Sequence, residues 1–261
     1  MRPRVAGDPN VAPASDITAS RPVVTALFGL TFVTGIVDAV SFLGLGHVFT
    51  ANMTGNVVFI GFALGGAPDL SVFRSVVALV AFMIGGIGGG RIVRAESRTA
   101  LKRLLSAIAG ETALLSAAIV ASAGLLALSA PAWQFLVIVL TAIAMGIRNG
   151  VVRGLAIPDL TTTVLTLTVT GLSADSRLAG GAAPRRLRRY LSVTMMLLGA
   201  LVGAAMLRPF GVRGSLGAAV LVNLGLVTYL SVRASPRGTR RRASRQEHAT
   251  YDQDPQEEEE R

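Results

Sequence analysis

The sequence predicts an all-α membrane protein with about six transmembrane helices and two short re-entrant or broken segments. Three features carry that prediction. Apolar residues make up 51% of the 261 positions, only 15% are charged, and mean hydropathy is +0.58, whereas a soluble domain carries about 25% charge. The apolar residues gather into stretches close to the ~20 residues needed to cross ~30 Å of hydrocarbon. The net charge is +10, from 25 Lys and Arg against 15 Asp and Glu, and the basic residues fall between those stretches, as cytoplasmic loops require. A nucleic-acid-binding domain would need its basic residues on a folded polar face, and an ordinary soluble enzyme would be far less apolar. With no cysteine in the chain, disulfides, thiolate nucleophiles and Cys-based metal sites are excluded.

The elements follow in order. Residues 1–22 are rich in Pro, Ala, Ser and Asp without apolar periodicity, so they are expected to form a disordered lead. The first apolar run starts at Val23, too far from the basic start for a signal peptide. The transmembrane domain is expected over 23–232. Its long apolar stretches are Val23–Leu43, Phe73–Gly90, Leu104–Leu128, Trp133–Gly150, Tyr190–Leu207 and Gly214–Val232. Thr50–Gly66 and Leu160–Ala174 are shorter and interrupted by Thr and Gly, and the first also by Asn. Residues 233–261 read as a disordered, charged cytoplasmic tail. It carries Arg240-Arg241-Arg242 and the acidic run Glu257 to Glu260.

Loop charge separates two topologies. If all eight stretches cross, the basic residues divide 16 inside to 9 outside. If the two short stretches dip in and return, the division is 22 to 3, and only Arg74, Arg208 and Arg213 lie outside. The positive-inside rule selects the second arrangement, with both termini cytoplasmic.

The halves 23–128 and 133–232 also overlay at an offset of about 111–114. Gly35-Ile36-Val37-Asp38 falls on Gly146-Ile147-Arg148-Asn149, and Thr50 to Thr54 on Thr162 to Thr166. Met83, Gly86 and Gly90 fall on Met196, Gly199 and Gly203, and Glu111 on Asn223. Three crossings per half would make this an inverted 3+3 repeat, a plan common among transporters and channels. Non-helical backbone at membrane depth is tolerated only inside protein or along a wet cavity. The two dips are therefore expected to meet near the midplane from opposite sides.

Few residues there can carry chemistry. Asp38 sits two-thirds along the first helix, where a carboxylate needs a partner or water. It is expected to contact either Arg148 or Asn149, as a functional or gating pair or as a packing device, unless Arg148 snorkels to the cytoplasm. Asn52-Met53-Thr54-Gly55-Asn56 places two amides and a hydroxyl around a glycine. Such groups suit a pore lining or a helix N-terminus that holds a polar or anionic solute. The alternative is that the amides only cap the broken backbone. Thr162 and Thr166 are the corresponding candidates in the second dip. Glu111 is either proton-linked or near the inner interface, and the interface reading is favoured. Gly85, Gly86, Gly88, Gly89, Gly90, Gly199 and Gly203 form small faces for close helix packing and would permit a homo-oligomer. A nucleotide-binding glycine loop would need a preceding strand, and none is expected.

The segment Gly35-Ile36-Val37-Asp38-Ala39, followed by Asn52-Met53-Thr54-Gly55-Asn56, resembles the YoaK family of uncharacterised bacterial multi-pass membrane proteins. Ala144-Met145-Gly146-Ile147-Arg148-Asn149-Gly150 and the run Thr161 to Gly171 are similar to that family's second motif. The family pattern has Gln where this chain has Arg148, which shifts weight to an Asp38–Asn149 contact. The resemblance covers about residues 23–232 and implies a bacterial inner-membrane protein of about six helices. It supplies no substrate.

The function expected is a small-solute transporter or channel with a polar midplane site. The alternative is a membrane scaffold whose Arg-rich loops and tail dock a partner. Anionic lipid is expected at the Arg-rich loops, and neither nucleic acid nor a cofactor is expected. An enzyme is not expected. Asp38, Glu111 and Asp175 are acids without an accompanying nucleophile–base pair, and His47 and His248 are too few for a metal cluster.

Overall fold

The computed structural model describes residues 21–94, 99–124, 129–155, 165–182 and 186–234. Residues 1–20 of the expected disordered lead, most of the charged tail and the candidate Thr162 lie outside the described residues, whereas Arg21 and Pro22, placed in that lead, begin the first helix. Every regular element among the described residues is helical: α1 (Arg21–Gly44), α2 (Met53–Leu64), α3 (Val72–Arg94), α4 (Ala100–Ser122), α5 (Ala130–Gly154), α6 (Leu165–Ala174), a 3₁₀ turn (Arg177–Ala179) and α7 (Arg186–Ala234). The five helices α1, α3, α4, α5 and α7 are long and apolar enough to cross a membrane.

This corrects the expectation of six separate crossing helices. The last two apolar stretches are joined in α7, a 49-residue helix with non-helical backbone at Gly211 (φ 62°, ψ −168°) and Pro209 just before it. An unbroken helix of that length would extend ~73 Å, more than twice the hydrocarbon thickness. The limb 186–210 instead runs parallel to α1, with Gly199 against Phe32 and Gly203 against Ile36. The limb 212–234 returns along the same helix, with Val212 near Gly44 and Leu226 near Gly29. Gly211 suits the break because its dihedrals lie in a region essentially closed to residues with a Cβ. Ser215 ties the limbs together by donating to the carbonyls of Gly203 (3.3 Å) and Gly211 (3.1 Å).

Two apolar clusters mark the ends of the bundle. Val23, Leu27, Leu104, Ile108, Val152, Leu155 and Leu230 pack at one end. Val40, Leu45, Ala118, Ala121, Val137, Ile138 and Leu216 pack toward the other. Thus α1 and α4 start at the first end, and α5 and α7 finish there. α3 is parallel to α5, with Gly85 on Ile143, Gly89 on Ile147 and Gly154 on Val93.

Backbone contact explains the glycines. A Cβ on Gly35 would collide with the Met196 carbonyl, and one on Gly146 with the Phe82 carbonyl. Small residues at such crossings let helices touch where lipid offers no hydrophobic drive for association. Gly85, Gly89, Gly199 and Gly203 are therefore used inside one chain rather than on a free face. Hydroxyls inside the helices satisfy themselves. Thr31 and Thr34 of α1 donate to Leu27 O and Leu30 O, each at 2.9 Å, and Thr141 of α5 to Val137 O at 2.7 Å. Back-bonding of this kind lets polar side chains enter an apolar helix.

The two short helices, of 12 and 10 residues, are shorter than a membrane-crossing helix. The chain leaves α1 at the end opposite the first cluster and turns through Gly46 (φ 88°) and His47 (φ 55°). It then re-enters the bundle, so that Ala51 lies beside Asp38. From there α2 climbs back to its starting end, where α3 begins. Residues 156–164 lie outside the described residues; α6 and the 3₁₀ turn end at the first end, where Arg189 of α7 bonds the Gly171 carbonyl and Asp175.

Candidate functional site

Asp38 lies six residues before the end of α1, ~9 Å below it along the helix axis. Its side chain is buried, and Oδ1 accepts a hydrogen bond from the Ala51 N–H at 3.0 Å. The carboxylate thus anchors the incoming turn just before α2. A helix start leaves N–H groups without intrahelical partners and carries partial positive charge, which is a fitting neighbourhood for a buried anion.

The Asn52–Asn56 segment divides into two roles. Asn56 is fully buried. Its Oδ1 accepts from the Phe49 N–H (2.9 Å) and its Nδ2 donates to the Phe49 carbonyl (2.6 Å). An amide that completes two backbone groups of its own turn is a clamp, which is the alternative role expected for this segment. Gly55 packs under the Phe49 ring, where a Cβ would clash. That ring stacks on Phe42 (5.1 Å) and on Phe59 (5.5 Å), which also meet each other at 5.9 Å, so the three rings form one cluster. Asn52 caps α2 by accepting from the Gly55 N–H at 3.4 Å. Asn52 and Thr54 are both exposed, so their remaining polar atoms face outward at the first turn of α2. Thr166 is likewise exposed on α6.

Arg74 of α3 secures the top of the descending turn. It donates to the Leu45 carbonyl and to Gln134 Oε1 (3.0 Å), and its guanidinium lies 5.3 Å from the centre of the Phe135 ring. Three anchors therefore hold residues 45–52: Arg74 on Leu45, Asn56 on Phe49 and Asp38 on Ala51.

Arg148 pairs elsewhere than expected. It is completely buried, so it does not snorkel, and its ion-pair partner is Glu111, with Nη1 to Oε1 at 3.1 Å. The same nitrogen donates to Leu30 O (3.1 Å), and Nη2 donates to Thr34 Oγ1 (2.7 Å) and approaches the Met145 sulfur (3.0 Å). An Asp38–Arg148 ion pair is absent among the described residues. The cause is reach. Arg148 contacts α1 at Leu30 and Thr34, one turn below Asp38, and there it meets the carboxylate of α4. Asn149 is half-buried and donates to the Met145 carbonyl at 2.8 Å.

Glu111 corrects a second expectation. It is the central residue of α4 and has no exposed surface, so it is not an interfacial residue. Its Oε2 has no hydrogen-bond partner. Asn223 of α7 stands beside it, fully buried and near enough to interact with the carboxylate, with neither amide atom in well-formed hydrogen-bond geometry among the described residues. Thr34 was missed in the sequence, although it lies one turn before Asp38 on the same helical face. Asn223 was noticed only as the overlay partner of Glu111. Asp175, the third acid considered, pairs with Arg189 at 2.6 Å at the end of the bundle.

Known proteins resemble this chain over most of the described region. The family model described as "Protein of unknown function (DUF1275)" matches residues 26–229. The UPF0700 transmembrane protein YoaK of Bacillus subtilis (strain 168) is 36% identical over 160 residues, covering 61% of this chain and 69% of that protein. No solved structure matches the chain.

Proposed function

The chain belongs to the DUF1275 family and is a multi-pass membrane protein; from that premise we propose that it carries a small polar solute across a bacterial plasma membrane, as a transporter or channel. The observation that carries this reading is the first turn of α2. Asp38 holds it inside the bundle through Ala51, while Asn52 and Thr54 remain uncovered. Broken backbone at that depth is stable where it lines a water-filled path. A helix start with free polar groups is also a suitable seat for a polar or anionic group.

The packing contacts favour an inverted repeat as the frame of this site. Gly35 on Met196–Ala200 and Gly146 on Phe82–Gly86 are the same contact at offsets of 111 and 114. So are Gly199 on Phe32 and Gly85 on Ile143. In this reading each limb of α7 crosses the membrane, and α2 and α6 dip from opposite faces.

Charge orients the bundle. Eleven of the described basic residues lie at the end where α1 begins, three (Arg74, Arg208 and Arg213) lie at the other, and Arg148 is internal. The positive-inside rule puts the crowded end, and with it both termini, in the cytoplasm. Anionic lipid headgroups are the natural partners of the exposed Arg91, Arg94, Arg153 and Arg186 there. The bundle functions without a cofactor in this account.

The test is solute permeation into proteoliposomes, read by light scattering across a panel of small neutral and anionic solutes. The purified chain should accelerate at least one solute. Asn52→Ala combined with Thr54→Ala should slow it about tenfold, the effect of roughly one lost hydrogen bond. Equal permeation in the variant would overturn the site. No acceleration for any solute would favour a scaffold.

A further inference from the structure

The Arg148–Glu111 pair is incomplete in an informative way. A guanidinium and a carboxylate frequently meet through two parallel hydrogen bonds. Here only Nη1 and Oε1 meet, while Nη2 goes to Thr34 and the same Nη1 is shared with the Leu30 carbonyl. Among the described residues, Glu111 Oε2 and both amide atoms of the adjacent Asn223 lack a well-formed hydrogen bond, although the amide lies near enough to interact with the carboxylate. All three side chains are fully buried.

Charge is incomplete as well. Among the described residues, the buried middle of the bundle holds two carboxylates, Asp38 and Glu111, against the single guanidinium of Arg148. Asp38 is served by the Ala51 N–H at the start of α2. Arg148 is fixed from α1 and α5 and cannot lose its proton. Glu111 is the group left with a free oxygen and an adjustable neighbour.

We propose that Glu111 binds and releases one proton, and that Asn223 is the amide that bonds it in both states. In the protonated state Oε2–H donates to Asn223 Oδ1. In the ionised state the amide turns over, and Asn223 Nδ2–H donates to Oε2. The proton is exchanged with water as hydronium, and no electron moves. Only an Asn or Gln side chain offers both a donor and an acceptor at this spot without bringing charge. The groups facing Glu111 are Arg148 from α5 and Asn223 from α7. From α1, Thr34 reaches it through Arg148, and Asp38 lies one turn beyond. On α4 itself Arg103 lies two turns toward the basic end. The described charged residues of α3 are all near its ends.

As the coupling ion of a transporter, this proton rests on the function proposed above; proton binding itself does not, and can be read without a solute. The measurement is infrared difference spectroscopy of the full chain in nanodiscs, titrated with pH. A carboxylic C=O band should appear on acidification, vanish in Glu111→Gln and persist in Asp38→Asn. Asn223→Leu should shift both its frequency and its pH midpoint. A band that survives Glu111→Gln, or no titrating band in the wild type, would overturn the proposal. Should Glu111→Gln fail to fold, an unchanged band in Asn223→Leu would overturn it equally. A protein that shows the band yet moves no solute would retain the proton site and lose the transport reading.

Discussion

At the scale of single residues, depth decides which polar groups are structural. Asn56 is consumed by Phe49, whereas Asn52, four residues earlier, keeps free polar atoms at an exposed position. The motif was legible in the sequence, but its division into clamp and open turn was not. That depends on which side of a short helix faces Phe42 and Phe59. Likewise, a sequence with three ionisable residues deep inside its apolar stretches, Asp38, Glu111 and Arg148, announces an ion pair without naming the partners. Overlaying the halves brought Asp38 near Arg148 in register. The actual choice fell to Glu111, because α4 approaches α5 one turn lower. Removing one member of a buried pair leaves an uncompensated charge, which costs about 3–5 kcal/mol. Arg148→Met should therefore unfold at markedly lower temperature in detergent. Arg148→Met with Glu111→Gln should recover much of the loss. Equal destabilisation by the single and double variants would mean that the guanidinium acts through Thr34 and Leu30 alone.

At the scale of elements, small residues set the fold. Long apolar stretches located α1, α3 and α5 in the sequence to within four residues, whereas α4 ends at Ser122, six residues before the expected Leu128. They could not show that the last two stretches follow each other directly as two antiparallel limbs hinged at Gly211, because both Pro209 and Gly211 read equally well as an ordinary loop. The glycines were legible as close-packing faces, but their partners were not. Gly85 and Gly89 meet α5, and Gly199 and Gly203 meet α1, so those faces are covered within the chain. Overpacking such a crossing costs about 1–3 kcal/mol or more. Gly146→Leu would push against the Phe82 carbonyl and Gly86. It should lower thermal stability by at least that much, whereas Gly217→Leu, with open space around it, should be tolerated. Comparable melting of the two variants would contradict the helix contacts described here.

At the scale of the whole molecule, charge and packing point the same way. The loop arithmetic favoured two dips over two extra crossings, and the described α2 and α6 each return to the end at which the following helix begins. What the sequence could not reveal is how firmly the first dip is held: Arg74, Asn56 and Asp38 come from three different elements and converge only in the folded chain. The central claim is that this dip delivers polar groups to a wet path inside the membrane. Thiol labelling tests it most directly, because the chain has no native cysteine. Single cysteines at Leu178 and Asp69, exposed at opposite ends of the bundle, would report the cytoplasmic and outer faces. A third, at Thr54, should react with a membrane-impermeant reagent from the Asp69 side and be silent from the Leu178 side. A Thr54→Cys chain that stays unreactive from both sides while folded, yet reacts once unfolded, would contradict the account.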